Sequence, residues 1–160
     1  MGETFKIGIA DMQVCSPPNC VTTLGLGSCV GIVLYDPVKK VCGMVHIMLP
    51  DSTKIRNNSN IAKFADSGIK ELYNRVLGMG ADKNRIIAKI AGGATMFSGN
   101  NVEMLKIGER NVEATKKALR SLNIRIVAED TGKDYGRTII FDPSTGGLTI
   151  KAVRKEPMVI

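Results

Sequence analysis

The chain has 160 residues, 44% of them hydrophobic and 23% charged, with a formal net charge of +7. That is the size of one domain, spanning residues 1–160, able to remove about two-thirds of its unfolded surface from water. The balance excludes a disordered tail, a coiled coil and a collagen-like chain, and four cysteines stand against a single histidine, His46.

In chain order, residues 5–14 alternate loosely and predict a strand. A turn at Pro17-Pro18 follows, and Val21–Leu24 is extended into Gly25-Leu26-Gly27-Ser28-Cys29. The β-branched run Val30–Tyr35 and the segment Val41–Leu49 flank the turn signal Asp36-Pro37-Val38-Lys39 and predict a hairpin. Polar residues Ser52–Asn60 predict an exposed loop, and a helix starts near Ser59 or Asn60. Its apolar stripe is Ile61, Phe64, Ala65, Ile69, Leu72 and Val76, and Gly78 and Gly80 end it. Residues 85–91 predict a buried strand broken by Gly92-Gly93. A second helix fits Glu109–Leu122, with Val112, Thr115, Leu119 and Leu122 on one face and its charges solvated. Ile124–Ala128 is a strand, Arg137–Phe141 and Leu148–Val153 form a second hairpin, and the tail after about residue 154 is loose. The sum is an α/β protein with mixed strand pairing and two main helices.

No segment approaches the ~18 apolar residues of a membrane helix, and Met1–Lys6 lacks the pattern of a signal peptide. The expectation is a cytoplasmic protein, not inserted in a membrane, with Cys15, Cys20, Cys29 and Cys42 as reduced thiols. No Cys-x-x-Cys pair exists, and one histidine cannot complete a two-Cys, two-His site, so no metal and no cofactor is expected. Cys15 and Cys20 flank a turn, where their proximity reads as chance. The basic excess is spread out and not interleaved with aromatics, which speaks against nucleic acid and for an acidic partner surface.

Two glycines crowd Cys29 at a loop-to-strand junction, which suits a nucleophile presented beside bare backbone N–H groups. A phosphate loop fails, because no Gly-Lys-Ser/Thr follows and the segment enters a strand. A hairpin loop of Asp36–Lys39 pairs Tyr35 with Lys40 and so Cys29 with His46, their Cβ atoms about 4.5–5.5 Å apart. A register slip of one residue would put His46 on the other face. In that pairing a neighbouring imidazolium stabilises the thiolate, His46 relays the proton, and Thr23 orients the imidazole by its hydroxyl or its carbonyl. The alternative is a histidine satisfied by a backbone carbonyl beside a cysteine that is a small hydrophobe. Ala91–Phe97 either lines the site or is only a sharp strand exit.

Five ordered blocks then resemble one family. They are Thr23–Val30, His46–Ser52, Lys89–Phe97, Ile107–Ala114 and Ala128–Gly132. Together they resemble the CheD family of bacterial chemotaxis, with Thr95 where that family has Ser and an unfamiliar tail after Arg154. The resemblance implies a deamidase that converts glutamines on methyl-accepting chemotaxis receptors to glutamate through a thioester. It implies Cys29 as nucleophile, His46 as base and acid, and Thr23 as the third member. It also implies a layered α/β/β sandwich like that of deamidating bacterial toxins, association with receptor cytoplasmic helices, and a CheC-type phosphatase as partner. Alternatives are a regulator whose main role is to stimulate such a phosphatase, and a cysteine hydrolase of receptor methyl esters.

Overall fold

A computed structural model describes residues 2–96 and 106–160. In chain order the elements are β1 (Thr4–Ile7), β2 (Met12–Cys15), β3 (Cys20–Leu26), β4 (Val30–Asp36), β5 (Val41–Ile47), α1 (Ala65–Gly78), β6 (Ile87–Gly92), α2 (Ile107–Ser121), β7 (Arg125–Thr131), β8 (Arg137–Asp142), β9 (Gly147–Lys151) and β10 (Met158–Val159). Among the described residues they form two five-stranded sheets. A central sheet runs β2-β5-β4-β6-β7 and an outer sheet runs β1-β3-β8-β9-β10. Parallel pairs (β1–β3 and β6–β7) coexist with antiparallel ones, so the pairing is mixed as expected.

Every residue of β4 and β5 is buried, because the central sheet is covered on both faces. Val30, Ile32, Leu34, Val45 and Ile47 face α1 and α2 and pack with Ile69, Leu72, Val76 and Leu119. Val33, Tyr35, Cys42 and Met44 face the outer sheet and pack with Val21, Leu26, Ile139, Phe141 and Leu148. Helices, central sheet and outer sheet therefore stack as three layers. A Cβ at Gly43 would meet Leu72 at 2.6 Å and Val76 at 3.0 Å, so this glycine lets α1 lie directly on β5.

Residues 5–14 are two strands, not one. β1 joins the outer sheet and β2 the central sheet, and Ala10 (φ +59) turns the chain between them. The alternation misleads here because Ile9, apolar and in phase, is 58% exposed at the turn. The first helix also starts later than its cap signal. Asn60 caps a short 3₁₀ turn, Ile61–Lys63, by accepting the Ala62 N–H, and α1 begins only at Ala65. Between them Phe64 is extended and bridges Leu49, while the Lys63 carbonyl accepts the N–H groups of Met48 and Leu49. Tertiary pairing thus interrupts a periodicity that runs through it.

At its other end α1 stops as expected. Gly80 (φ +102) donates to Leu77 O and Ala81 to Val76 O, a left-handed cap with its apolar contact between Ala81 and Val76. The tail expectation is corrected. Met158–Val159 pair antiparallel with β9, and Ile160 exchanges backbone hydrogen bonds with Leu148. Glu156-Pro157 reads as a break in sequence, but the three apolar residues after it complete the outer sheet.

The hairpin turn is fixed by Asp36, which is fully buried. Its carboxylate accepts the N–H groups of Val38, Lys39 and Asp82 and two bonds from the Arg85 guanidinium. Burial alone would raise this carboxyl; the guanidinium and the three N–H groups override it and hold it well below the ordinary carboxylate range. Asp36→Ala leaves the Val38, Lys39 and Asp82 donors and the Arg85 charge unpaired. It is expected to lower the unfolding free energy by about 3 kcal/mol, read from the urea midpoint at constant slope.

Candidate active site

The loop Gly27-Ser28-Cys29 carries the chain from β3 in the outer sheet to β4 in the central one. Three consecutive carbonyls of this loop are bound. Ala94 N–H donates to Gly27 O at 2.8 Å, the Asn111 side-chain amide to Ser28 O at 2.9 Å, and Gly93 N–H to Cys29 O at 2.8 Å. Gly92 must be glycine for this. Its φ is +111, and a Cβ there would strike Cys29 O. The Gly92-Gly93 segment is therefore more than a strand exit, since its backbone holds the backbone of Cys29. Phe97, the end of that sequence block, lies outside the described residues.

His46 sits on β5 opposite Gly31 on β4, not opposite Cys29. The expected register is wrong by two residues. Asp36, bound to the turn N–H groups, pairs with Val41, so the four-residue loop is Pro37–Lys40 and begins one residue later than the composition signals. A shift of two leaves side-chain parity unchanged. Cys29 and His46 still point to the same face of the central sheet, toward the outer sheet, now as diagonal neighbours. Cys29 packs at the edge of the inter-sheet cluster and is partly exposed, whereas His46 is fully buried.

Thr23 reaches His46 across the gap between the sheets. Its Oγ lies 2.7 Å from His46 Nδ1 and donates to Ile7 O at 2.9 Å. A hydroxyl has one proton. Because Ile7 O takes it, Thr23 accepts from the imidazole, and Nδ1 carries the ring hydrogen. That leaves the lone pair on Nε2, which has no hydrogen-bond partner among the described residues. The sequence allowed hydroxyl or carbonyl for Thr23; the hydroxyl makes the contact.

Burial pushes His46 down to about 4 from the ordinary 6.5. Burial also pushes the Cys29 thiol up, partly offset by its own backbone N–H beside the sulfur. The resting pair is therefore neutral thiol and neutral imidazole, not the thiolate and imidazolium that spacing suggested. An imidazolium in this buried layer has no carboxylate to hold it among the residues bonded to the ring.

Asn111 was missed. Fully buried on α2, it donates to Ser28 O and also to Met48 O at 3.0 Å. Flanking charges marked its segment as solvated, yet Asn111, Thr115 and Leu119 continue one buried stripe at i, i+4 and i+8. Extending the Thr115–Leu119 stripe one turn toward the N-terminus would have found it. The other cysteines are free thiols, and Cys15 and Cys20 form no pair, in line with the reading of their spacing as chance. Cys15 and Cys42 are register partners on β2 and β5, with sulfurs 3.5 Å apart, while Cys20 lies apart on β3. No helix among the described residues is long and apolar enough to cross a membrane.

Residues 48–152 match a family model described as CheD chemotactic sensory transduction, a span that begins two residues after His46. A probable chemoreceptor glutamine deamidase CheD of Lachnoclostridium phytofermentans is 65% identical over 156 residues, covering 97% of either chain. The chemoreceptor glutamine deamidase CheD of Halalkalibacterium halodurans is 51% identical over 157 residues, again 97% of either chain. A Caldanaerobacter subterraneus relative, named a probable chemoreceptor glutamine deamidase CheD, is 56% identical over 94% of either chain.

Two outcomes follow from the buried neutral imidazole. Between about pH 6.5 and 4 the unfolded chain binds a proton that folded His46 refuses, so stability falls as pH falls through that window. Unfolding free energy against pH should be steeper there for the wild type than for His46→Gln; equal slopes would mean His46 is not buried and neutral. Imidazole nitrogen shifts should show Nδ1–H alone in the wild type and in Thr23→Ser. Thr23→Val should show both tautomers.

Proposed function

The chain belongs to the CheD family, and on that premise we propose that it deamidates glutamine side chains on chemoreceptors, with Cys29 as nucleophile, His46 as general base and acid, and Thr23 as the group that sets the imidazole tautomer. The observation that carries this reading is the Thr23–His46 hydrogen bond at 2.7 Å. It leaves a basic Nε2 free in a buried layer, on the face that Cys29 shares.

The chemistry runs from neutral partners. His46 Nε2 takes the thiol proton as Cys29 Sγ attacks the glutamine amide carbon. The carbonyl electrons move onto oxygen, which backbone N–H groups beside Cys29 stabilise. The tetrahedral species collapses, the C–N bond breaks, and ammonia leaves with the proton His46 held. A thioester remains on Cys29. His46 then takes a proton from water, hydroxide adds to the thioester, and Cys29 leaves as its thiol, giving glutamate. The net change is amide plus water to carboxylate plus ammonium, and no step calls for a metal or cofactor. Generating the ion pair only during attack suits a site where burial disfavours both charges at rest.

Receptors are named as substrates for the relatives, and the glutamine must come to a site whose loop is bordered by exposed apolar side chains. Met48 is 41% exposed and Met96 45%, and Met96 lies 3.4 Å from where a Gly27 side chain would begin. We read these as the contact for a receptor cytoplasmic helix, with the protein acting as one cytoplasmic domain near its receptor. The three-layer stack is the arrangement that the family resemblance links to deamidating toxins. A CheC-type phosphatase is proposed as a second partner, through a role that does not need the thiol.

The test is mass spectrometry of a receptor cytoplasmic fragment with ammonia and methanol measured in parallel. Wild-type protein should add about 1 Da per modified glutamine and release ammonia in equal amount. Cys29→Ala should lose at least about 10³-fold in rate while keeping the wild-type Tm and any stimulation of a CheC-type phosphatase. Methanol without ammonia would replace the amide reading with ester hydrolysis.

A further inference from the structure

We propose that Asn111 is a positioning residue for this reaction: by holding the Ser28 carbonyl it turns the backbone N–H of Cys29 toward the reacting sulfur, where that N–H receives the charge developing on the substrate oxygen. The inference rests on the reading of Cys29 as nucleophile.

A fully buried amide has to justify its place in a core. Asn111 uses both of its protons, one on Ser28 O at 2.9 Å and one on Met48 O at 3.0 Å. Its own oxygen is left buried without a hydrogen-bond partner among the described residues. An apolar side chain of the same shape would bury no amide oxygen but would strip this donor from both Ser28 O and Met48 O. What the amide supplies is therefore the fixed geometry of these two carbonyls. Ser28 precedes the nucleophile on the loop into β4, and Met48 follows the end of β5, the strand of His46. One planar group thus ties the segment bearing Cys29 to the segment bearing His46, and anchors both to α2.

The peptide plane carries the argument to the reacting atoms. In a trans peptide the carbonyl and the following N–H point in opposite directions. With Ser28 O drawn toward Asn111, the Cys29 N–H is directed away from α2. That N–H lies beside the Cys29 sulfur. The next carbonyl, Cys29 O, is fixed by Gly93 N–H. Both peptide groups that flank the nucleophile are therefore immobilised, one by a side chain and one by backbone. When sulfur attacks a carboxamide, the oxygen that gains charge forms within a bond length or two of this N–H. A donor already aimed there needs no reorganisation as the charge appears. Thr115, one turn along α2, is buried on the same stripe but bonds neither loop, so the effect belongs to Asn111.

The experiment compares wild type, Asn111→Leu, Asn111→Ser, Leu119→Ala and Cys29→Ala on a receptor cytoplasmic fragment. Leu119 is an equally buried neighbour on the same helix and reports what destabilising α2 does by itself. Three readouts are taken: kcat and KM for ammonia release, the pH midpoint of Cys29 alkylation by iodoacetamide followed on its own peptide, and Tm. Asn111→Leu is expected to lower kcat by about 10–100-fold with KM within about twofold. Its alkylation midpoint should move up, because the N–H no longer steadies the thiolate. Asn111→Ser, which opens space without filling it, should shift both in the same direction and stands in if the leucine variant does not fold. Leu119→Ala should lower Tm with kcat and midpoint unchanged. The inference is overturned if a folded Asn111 variant keeps kcat within about twofold or keeps the wild-type midpoint, or if Leu119→Ala reproduces both changes. An active Cys29→Ala would instead remove the nucleophile reading beneath it, so the two failures are told apart.

Discussion

The central sheet is covered on both faces, by helices on one side and by a second sheet on the other, and the chemistry of the molecule follows from that double burial. It leaves β4 and β5 with no solvated face at all. A histidine placed on β5 then lies in a buried layer, where a charged ring is costly and ring nitrogens call for partners. Nδ1 finds its partner on the opposite sheet, in Thr23. Nε2 finds none among the described residues and keeps its lone pair. The same layer keeps the neighbouring thiol protonated at rest. Protonation state, tautomer and orientation of the imidazole are thus consequences of how two sheets are stacked.

The Cys29 backbone is held by a different device. Gly27, Ser28 and Cys29 form a passage between sheets, where no ladder can satisfy their carbonyls. Three donors from two elements do so instead: the exit of β6 supplies two N–H groups, and α2 supplies a side-chain amide. The cost falls on Gly92, whose conformation and closeness to Cys29 O exclude any side chain. A loop fixed at three successive carbonyls is a rigid support for the side chain it carries. Its borders, Met48 and Met96, are exposed.

Legibility in the sequence divides along local and non-local lines. The hairpin of β4 and β5 was readable because its turn residues and β-branched runs are contiguous. Its register was misread by two, since Asp36 signals a turn without saying that its own carboxylate closes it and that it therefore still pairs with Val41. The error was harmless to the site for a geometric reason: a pleated strand repeats every two residues, so an even slip preserves the face. Residues 5–14 failed because periodicity cannot report which sheet a strand joins. The tail failed because three apolar residues form a strand only where an edge awaits them, here β9.

Cys29, His46 and Thr23 were visible from the sequence as residue types in a suggestive order, and the turn and the glycines placed two of them on one face. Their protonation was not visible. An exposed Cys–His pair and a buried one have the same sequence, and only the packed outer sheet decides that both groups are neutral at rest. Asn111 was hidden for a similar reason, lying more than sixty residues from both carbonyls it binds. Local sequence thus determined the strands, the helical stripes and the shared face, because those depend on periodicity and turn chemistry. The tertiary structure decided which nitrogen of His46 is basic and what holds the Cys29 backbone, because both depend on groups that only folding brings within a hydrogen bond.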